Sequence, residues 1–356
     1  MSLRQTHTAP VSERLKPEFA LCVFDPLIEP TLESAVFAGL LSPGDLVAWI
    51  GREKHRKTNV LLQLAICAAL GRPFLNFAFV APSPLRVVFI DYESKTPSLK
   101  HRYDAICKAM GFSPADSDLL RKNLRIVEVR RMRQEGRYFP RFPLKDTDRR
   151  ETEFWKKLIA DYPADLYIID PMRCFHISDE NDSAIEQLME RMRTCFGKSA
   201  IIISHHMRKR GGEPIQSTLL SGMREWSDGA RGSGAIKAHA DVIACQERVS
   251  SKDDSETVYL GAFMKDGPDI EPIPLVETDY DSFLFKPSFH VPEHLRSSYE
   301  ALKKRSPFAT KADIVAILQT GKEGRSMSRS TAYDHVKQLA ERALLVETEE
   351  GWKVQL

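Results

Sequence analysis

An eight-residue segment, GREKHRKT, lies between two apolar runs of the chain, DLVAWI and NVLLQLAICAAL. Gly51, Lys57 and Thr58 match the pattern G-x-x-x-x-G-K-[ST], whose backbone N–H groups surround phosphate while its lysine and hydroxyl serve the outer phosphates and Mg²⁺. Arg56 stands where the pattern has its second glycine, and Lys54 occupies the fourth position. We interpret these five residues as a nucleotide-binding phosphate loop, with a basic turn of similar appearance as the alternative.

Polar side chains also end three apolar runs downstream. Glu93 follows VVFIDY, Asp170 ends LYIID, and His205 and His206 follow AIIIS. An acid in the place of Asp170 can hold the shell of Mg²⁺ together with Thr58, and one in the place of Glu93 can deprotonate an attacking water. His206 can sense a γ-phosphate by hydrogen bonding. Each residue alone is typical of a turn or a helix cap, whereas their joint order after the loop favours a nucleotide site.

These residues require a scaffold in which strand ends meet. Apolar strands alternate with amphipathic helices, which predicts an α/β fold with a mainly parallel sheet covered on both faces. Ligands bind beyond the carboxyl ends of such strands. The predicted order is DLVAWI (strand), 58–70 (helix), RVVFIDYE (strand), SLKHRYDAICKAM (helix), LRIVEV (strand), 151–161 (helix), DLYIID (strand), 183–196 (helix) and AIIISHH (strand).

The later part of the chain has a different pattern. ETVYLGAFMKDG and SFLFK are predicted antiparallel strands that finish the sheet, and the proline-containing segment IEPIPLVETD is interpreted as a bend. We divide the chain into an amino-terminal arm at 1–30, a core at 31–287 and a small domain at 292–356.

Composition limits the classes of protein that fit. The 356 residues are 42% hydrophobic and 28% charged, with a formal net charge of +2, which indicates a folded chain with one large core or two unequal ones. Binding of nucleic acid must therefore come from local clusters of cations. The six cysteines include no C-x-x-C pair, which argues against a zinc site and a disulfide framework. The amino terminus has no signal-type apolar run, and Gln63 interrupts the longest apolar run, so we expect a cytoplasmic protein with no membrane partner.

Three segments carry a resemblance to a known family. LYIIDPMRCFHISDENDSAIEQLMERM, IIISHH and GARGSGAIKAHADVI resemble the RepA-type hexameric helicases of mobile plasmids, which are RecA-fold ATPases. The resemblance spans residues 38–286. Its most specific part is the pattern D-x-x-R-x-F-H-x-x-x-E-N, at Asp170, Arg173, Phe175, His176, Glu180 and Asn181. It implies a RecA-like P-loop NTPase core, ATP and Mg²⁺ as cofactors, and a hexameric ring that encircles single-stranded DNA.

The same resemblance implies roles for individual residues. Glu93 matches the catalytic carboxylate, Asp170 matches the acid that serves Mg²⁺, and His206 belongs to the histidine pair that couples the nucleotide to the DNA-binding loops. Arg231 matches an arginine finger that completes the site of the neighbouring subunit, and Lys265 matches a basic residue that faces a neighbour's phosphates.

The substituted loop leaves two functions open. Loops of this kind are rich in glycine because their backbone turns N–H groups toward phosphate, in places with a positive φ. A non-glycine residue in that geometry costs roughly 1–2 kcal/mol, so Lys54 and Arg56 are expected to destabilise such a loop. The first interpretation is a ring-forming ATPase, a helicase or DNA-remodelling motor, in replication or maintenance of a mobile element. The second is a DNA-binding adaptor that retains the fold with little or no hydrolysis. The joint presence of four site residues favours the first, namely Glu93, Asp170, His206 and Arg231.

Basic segments predict DNA as the partner. Glycine-flanked cations follow the histidine strand at Arg208, Lys209, Arg210 and Arg224, and such cations suit a groove that tracks a phosphate backbone. A solvated surface loop is the alternative. RRMRQEGRYFPRF combines arginine with aromatic residues, which suits either stacking on bases or packing against a neighbour.

The end of the chain is predicted to be a winged helix-turn-helix domain. Helical patterns in HLRSSYEALKKR, TKADIVAILQTG and SRSTAYDHVKQLAERALL precede a small hairpin, and the third helix is interpreted as a recognition helix for duplex DNA. Its candidate DNA contacts are Arg329, Ser330, Thr331, Tyr333 and Lys337. The acidic segment ETEEG weakens the case for wing contacts with phosphate, and binding of a protein is the alternative.

Overall fold

The structure of the protein is a computed structural model. It describes residues 35–356 apart from 146, 176–181, 208–217, 231, 251–255, 266, 280, 289–292, 321–326, 342–344, 349–350 and 355–356. The predicted arm at 1–30 lies outside this part of the chain. So do several candidate residues, namely Arg208, Lys209, Arg210, Arg231, His176, Glu180 and Asn181.

A nine-stranded sheet forms the centre of the protein. Its strands are β1 (Leu46–Gly51), β2 (Val87–Asp91), β3 (Leu124–Glu128), β4 (Leu166–Asp170), β5 (Ala200–His206), β6 (Val242–Ser250), β7 (Glu256–Met264), β8 (Ile270–Glu277) and β9 (Phe285–Pro287). They lie in the order β3-β2-β4-β5-β1-β6-β7-β8-β9. Pairing is parallel from β3 to β6 and antiparallel from β6 to β9. The predicted α/β class with a mainly parallel sheet is confirmed.

Helices cover both faces of this sheet. They are α1 (Lys57–Leu70), α2 (Thr96–Ala109), α3 (Pro114–Asn123), α4 (Val129–Gln134), α5 (Arg149–Asp161), α6 (Met172–Phe175), α7 (Asp182–Phe196), α8 (Met223–Ser227) and α9 (Ser233–His239). One core contains side chains of α1, α2 and α3, and the other contains side chains of α5, α7 and α9. Helix α1 is buried on nearly all sides and ends at Gly71, whose φ of 66° permits the left-handed turn.

Strand register aligns the predicted site residues. Gly51 at the end of β1 pairs with His206 of β5, and Asp91 of β2 pairs with Asp170 of β4. Because these strands are parallel, their carboxyl ends meet at one edge of the sheet, where helix α1 also begins. The loop, the acids and the histidine therefore converge, although up to 155 residues separate them in sequence.

The interpretation of IEPIPLVETD as a bend is wrong, because this segment forms strand β8. Pro272 and Pro274 lack an N–H group and are tolerated in a sheet mainly where no neighbour needs that donor. Strand β9 pairs with residues 275–277 only, so the proline-containing half of β8 has a strand ladder on one side alone. The short helices α3, α4, α6, α8 and α9 were not predicted.

The carboxyl-terminal part contains α10 (Glu293–Lys303), α11 (Lys311–Gln319), α12 (Arg329–Glu341) and the antiparallel strands β10 (Leu345–Thr348) and β11 (Gly351–Val354). These elements share a hydrophobic cluster of their own. Thr310 and Asp313 form a capping box that starts α11. Three helices and a hairpin occur in the predicted order, and their interpretation as a winged helix stays a prediction, as do the domain boundaries.

Two further properties concern the described part of the chain. None of its helices is long and apolar enough to cross a membrane. Its cysteines are free thiols, at Cys67, Cys107, Cys174, Cys195 and Cys245.

Candidate functional site

The GREKHRKT segment connects β1 to α1 and contains two residues in left-handed backbone geometry. Lys54, at the fourth position of the pattern, and Arg56, at the position of its second glycine, have φ values of 63° and 65°. Both lie in the left-handed region that glycine adopts most easily. Gly51 is constrained by space instead, because a Cβ there would lie 2.7 Å from the carbonyl oxygen of Gln246. Two residues with long side chains therefore adopt left-handed geometry in this loop, and one of them, Arg56, stands where the pattern has a glycine.

Strand β6 braces this loop from the side. The Gln246 amide donates to the carbonyl oxygen of His55 (2.6 Å), and the backbone N–H of Arg248 donates to His55 Nδ1 (2.9 Å). Arg52 forms an ion pair with Glu247 (3.3 Å). Burial is the main cause that lowers the pKa of His55 to about 4, and the neutral ring can accept through Nδ1. These contacts oppose the strain at the two left-handed residues.

Lys57 is buried in the loop and reaches its rim. Its Nζ donates to the carbonyl oxygens of Gly51 and Arg52 (2.8 Å each) and lies 3.2 Å from His206 Nδ1. Burial lowers the pKa of Lys57 to about 8, and Asp170 opposes this change. Burial also lowers the pKa of His206 to about 3, so at neutral pH the ring is uncharged and its Nδ1 can accept a hydrogen bond from the Lys57 ammonium. The ammonium group is thus placed where an anion in the loop would meet it.

Oxygen atoms that could bind Mg²⁺ follow Lys57 in the site, on Thr58 and Asp170. The Thr58 hydroxyl donates to Asp170 Oδ2 (2.6 Å), and the Ser204 hydroxyl donates to Asp170 Oδ1. A hydroxyl with a carboxylate behind it suits Mg²⁺, which prefers oxygen ligands and retains several waters. Asp91, the register partner of Asp170, has a buried Oδ2 without a hydrogen-bond partner in the described part of the chain. Burial, followed by the charge of Asp170, raises the pKa of Asp91 to about 6.

Glu93 follows β2 and is held by its backbone and by its side chain. Its backbone N–H donates to Asp91 Oδ1 (2.9 Å), which fixes the turn that follows β2. Its carboxylate accepts from Arg173 Nη2 (2.7 Å) and Nε (3.0 Å) and from Cys174 Sγ (3.5 Å). The side chain is 43% exposed, so water can reach it. An exposed carboxylate beside a phosphate loop is suited to accept a proton from an attacking water.

Together these groups line a cleft of about 570 Å³, a size typical of small-ligand pockets. Its lining residues are Glu53, Lys54, His55, Arg56, Lys57, Thr58, Asn59, Glu93, Ser98, Arg102, Asp170, Arg173, His206, Arg248 and Phe283. The sequence predicted that Glu93, Asp170 and His206 lie near the loop, and the structure places them there. The sequence did not predict two cations of the lining, Arg102 of α2 and Arg248 of β6. The only available signal for Ser204 was a polar residue within the apolar run AIIIS.

Other predicted residues lie outside the cleft. Lys265 follows β7, is exposed and does not line the cleft. Arg224 is engaged by its own chain, because it pairs with Asp269 (2.7 Å) and lies over the Phe263 ring. A DNA contact by Arg224 would have to compete with that ion pair.

The candidates on α12 share one property. All five are exposed, whereas Ala332, Val336 and Leu339 of the same helix are buried. They are Arg329, Ser330, Thr331, Tyr333 and Lys337. Their contact with DNA stays a prediction.

Comparison with known proteins identifies the family. Residues 14–212 match the family described as AAA domain. Among solved structures, a KaiC-like protein from the hyperthermophilic archaeon Pyrococcus horikoshii OT3 is similar at 13% identity, with a TM-score of 0.45 over 71% of this chain and 93% of that chain. No curated protein matches. The family match spans more than half of the 356 residues, and the chain therefore belongs to the AAA-domain family of P-loop ATPases.

Proposed function

We propose that the protein binds ATP with Mg²⁺ in the cleft above β1 and hydrolyses it. The observation that carries this proposal is the left-handed backbone at Lys54 and Arg56, because residues in this geometry can direct backbone N–H groups toward an anion although Arg56 replaces the second glycine of the pattern. The adjacent Lys57, Thr58 and Asp170 supply the charges and oxygens that a nucleoside triphosphate requires.

Each residue has a distinct task in this reaction. Bound Mg²⁺ would screen charge on the phosphate oxygens, held by the Thr58 hydroxyl with Asp170 behind it. The Lys57 ammonium stabilises the negative charge of the outer phosphates. Glu93 accepts the proton of the attacking water, and neutral His206 keeps Lys57 oriented through Nδ1. The water oxygen bonds to the γ-phosphorus as the bond to the bridging oxygen breaks, so that ADP leaves and inorganic phosphate forms. Arg231 of a neighbouring subunit stabilises the charge that develops on the γ-phosphate oxygens.

We further propose that the protein acts as a RepA-like hexameric ring on DNA, in replication or maintenance of a mobile element. The sequence resemblance supports this assignment, and so does the exposure of Lys265 away from its own cleft, which a residue directed at a neighbour requires. Single-stranded DNA would pass through the ring. The five exposed residues of α12 support duplex binding by a winged helix.

A second candidate function is a DNA-binding adaptor that holds ATP without turnover. Arg173 favours this alternative, because its two hydrogen bonds occupy Oε1 of Glu93. A positive charge on one oxygen makes the carboxylate a weaker base toward a water at the other oxygen.

Phosphate release with Mg–ATP, measured with and without single-stranded DNA, separates the two functions. A motor is expected to release phosphate faster with DNA, and Glu93→Gln is expected to remove at least about 99% of this activity while preserving nucleotide affinity. Phosphate release equal to that of Glu93→Gln, with intact binding of nucleotide and DNA, would support the adaptor. Absence of nucleotide binding would overturn both functions.

A further inference from the structure

Arg173 of α6 spans the cleft between two acids that lie on different elements. Its Nε and Nη2 donate to Glu93 Oε1 at 3.0 and 2.7 Å, and its Nη1 donates to Glu53 Oε1 at 3.2 Å. Glu93 follows β2, whereas Glu53 belongs to the phosphate loop itself. One guanidinium therefore connects Glu53 of the loop to the carboxylate of Glu93.

Glu53 poses an electrostatic problem for the site. It lines the cleft, and its side chain is 37% exposed. A carboxylate in a phosphate loop repels a polyphosphate, because like charges a few ångströms apart disfavour each other even in partly aqueous surroundings. A guanidinium paired with that carboxylate cancels most of the repulsion.

Glu93 poses a geometric problem. Its carboxylate is also partly exposed, and an exposed glutamate has several rotamers of similar energy. Both donors of the planar guanidinium meet the same oxygen, Oε1, and hold it from two fixed directions, which a single ammonium cannot do. Oε2 receives neither bond and stays open to a water.

We propose that Arg173 is a positioning residue with two separable tasks, which are to neutralise Glu53 for nucleotide binding and to orient Glu93 for hydrolysis. This inference rests on the proposed binding and hydrolysis of ATP. The first task requires only a positive charge, whereas the second requires the two-donor geometry of arginine.

Substitutions at Arg173 and Glu53 separate these tasks. Arg173→Ala is expected to weaken binding of an imido analogue of ATP about tenfold, because Glu53 loses the guanidinium that pairs with it while the cleft loses one positive charge. Arg173→Ala combined with Glu53→Gln is expected to bind within about twofold of the native chain, because the repulsion is then absent. Arg173→Lys is expected to keep the affinity but to lower kcat about tenfold or more, because an ammonium cannot hold Glu93 in the same way.

Affinity is measured by titration calorimetry with Mg²⁺ present, kcat by phosphate release, and folding of each variant by circular dichroism. Arg102→Ala is the matched control, since Arg102 lines the same cleft but bonds to Ser98 (3.1 Å) and to no carboxylate among the described residues. Any loss of affinity in Arg102→Ala should persist when Glu53→Gln is added.

The outcomes distinguish this inference from the function on which it rests. If the double variant binds as weakly as Arg173→Ala, Arg173 contacts the nucleotide directly and the inference is wrong. Equal kcat values for Arg173→Lys and the native chain would overturn the orienting task. A native chain that binds no nucleotide would overturn the proposed function itself, and the inference with it.

Discussion

At the scale of single residues, the phosphate loop holds two long cationic side chains in backbone geometry that favours glycine. Lys54 and Arg56 both have positive φ values. Each conformation costs roughly 1–2 kcal/mol in an ordinary residue. Neither side chain makes a hydrogen bond or ion pair with another described residue, so both stay available to an anion in the cleft. The two residues that carry backbone strain are thus the same two that add positive charge to the cleft.

Lys54→Gly and Arg56→Gly should each raise the free energy of unfolding by about 0.5–1 kcal/mol, because relief of strain exceeds the entropy that glycine adds to the unfolded chain. Urea denaturation measures the change. Gly111→Ala is the matched control: its φ is 64° and a Cβ added there would have no atom within 4 Å, so it reports the strain alone. A loss of stability in Gly111→Ala would confirm that a side chain in this geometry costs free energy. If the two glycine variants are nevertheless less stable than the native chain, the side chains of Lys54 and Arg56 stabilise the fold by more than the strain of their backbone costs.

The buried ammonium of Lys57 makes nucleotide binding depend on pH. Its pKa is about 8 in the ligand-free chain, against 10.5 ordinarily, and bound phosphate should raise it again. Nucleotide affinity should therefore fall by no more than about twofold from pH 7 to 8 and approach a loss of about tenfold per pH unit above pH 8, as free protein loses the proton. Titrations of the ATP analogue from pH 7 to about 10 test this.

The lowered pKa of Lys57 also makes the stability of the nucleotide-free chain depend on pH, and stability changes in the opposite direction to affinity. Because the folded pKa lies below the unfolded one, stability without nucleotide should rise between pH 8 and 10.5. Lys57→Met removes the ammonium and should abolish both trends. A native affinity that does not change between pH 7 and about 10 would contradict the assigned role of Lys57.

At the scale of elements, α1 is joined to the far end of the sheet by one buried amide. Gln63 Nε2 donates to the carbonyl oxygen of Phe285 (2.9 Å), and the Phe285 N–H donates to Gln63 Oε1 (2.9 Å). Strand β9 lies at the edge of the sheet, and the amide of Gln63 makes the two backbone hydrogen bonds of Phe285 that a further strand would otherwise make. This glutamine interrupts the longest apolar run of the sequence. A polar residue within a buried helix thus has a structural reason.

Gln63→Leu should lower the free energy of unfolding by about 2–4 kcal/mol, since it leaves two backbone groups of Phe285 without partners. Amide hydrogen exchange at Phe285 should accelerate in parallel. Gln187→Leu on the exposed side of α7 is the control and should change stability by less than about 0.5 kcal/mol. Similar losses in both variants would mean that the bonds to β9 contribute little.

At the scale of the whole molecule, we propose an active site that two subunits of a ring share. In this proposal Glu93 belongs to the site of its own subunit and Arg231 to the site of the neighbour, so neither Glu93→Gln nor Arg231→Ala is expected to hydrolyse ATP alone. Arg231→Ala should still bind nucleotide. A mixture of the two variants should recover a measurable part of native activity, because some interfaces then combine native Glu93 with native Arg231.

Phosphate release of the mixture, at constant total protein, tests this sharing. The recovered rate should pass through a maximum near equal amounts of the two variants. A mixture as inactive as its components, under conditions where light scattering shows mixed oligomers, would refute a shared site. A native chain that stays monomeric with DNA and nucleotide would refute the ring.

Local patterns in the sequence determined the loop, the strand ends that carry Glu93, Asp170 and His206, and most of the longer helices. Apolar periodicity and strand-ending acids are properties of neighbouring residues, and the parallel α/β order brings strand ends to one edge. The same reasoning erred at β8, because which side of a strand lacks a neighbour depends on the whole sheet.

Only the tertiary structure decided whether the substituted loop keeps its shape. Intrinsic preference argues against left-handed geometry at Lys54 and Arg56, and the bracing contacts of His55 come from Gln246 and Arg248, which are 191 and 193 residues away. The bridge from Arg173 to Glu53 and Glu93 likewise joins three elements. Contacts at such separations depend on how strands assemble, and their combined free energy can exceed the local preference of one or two residues.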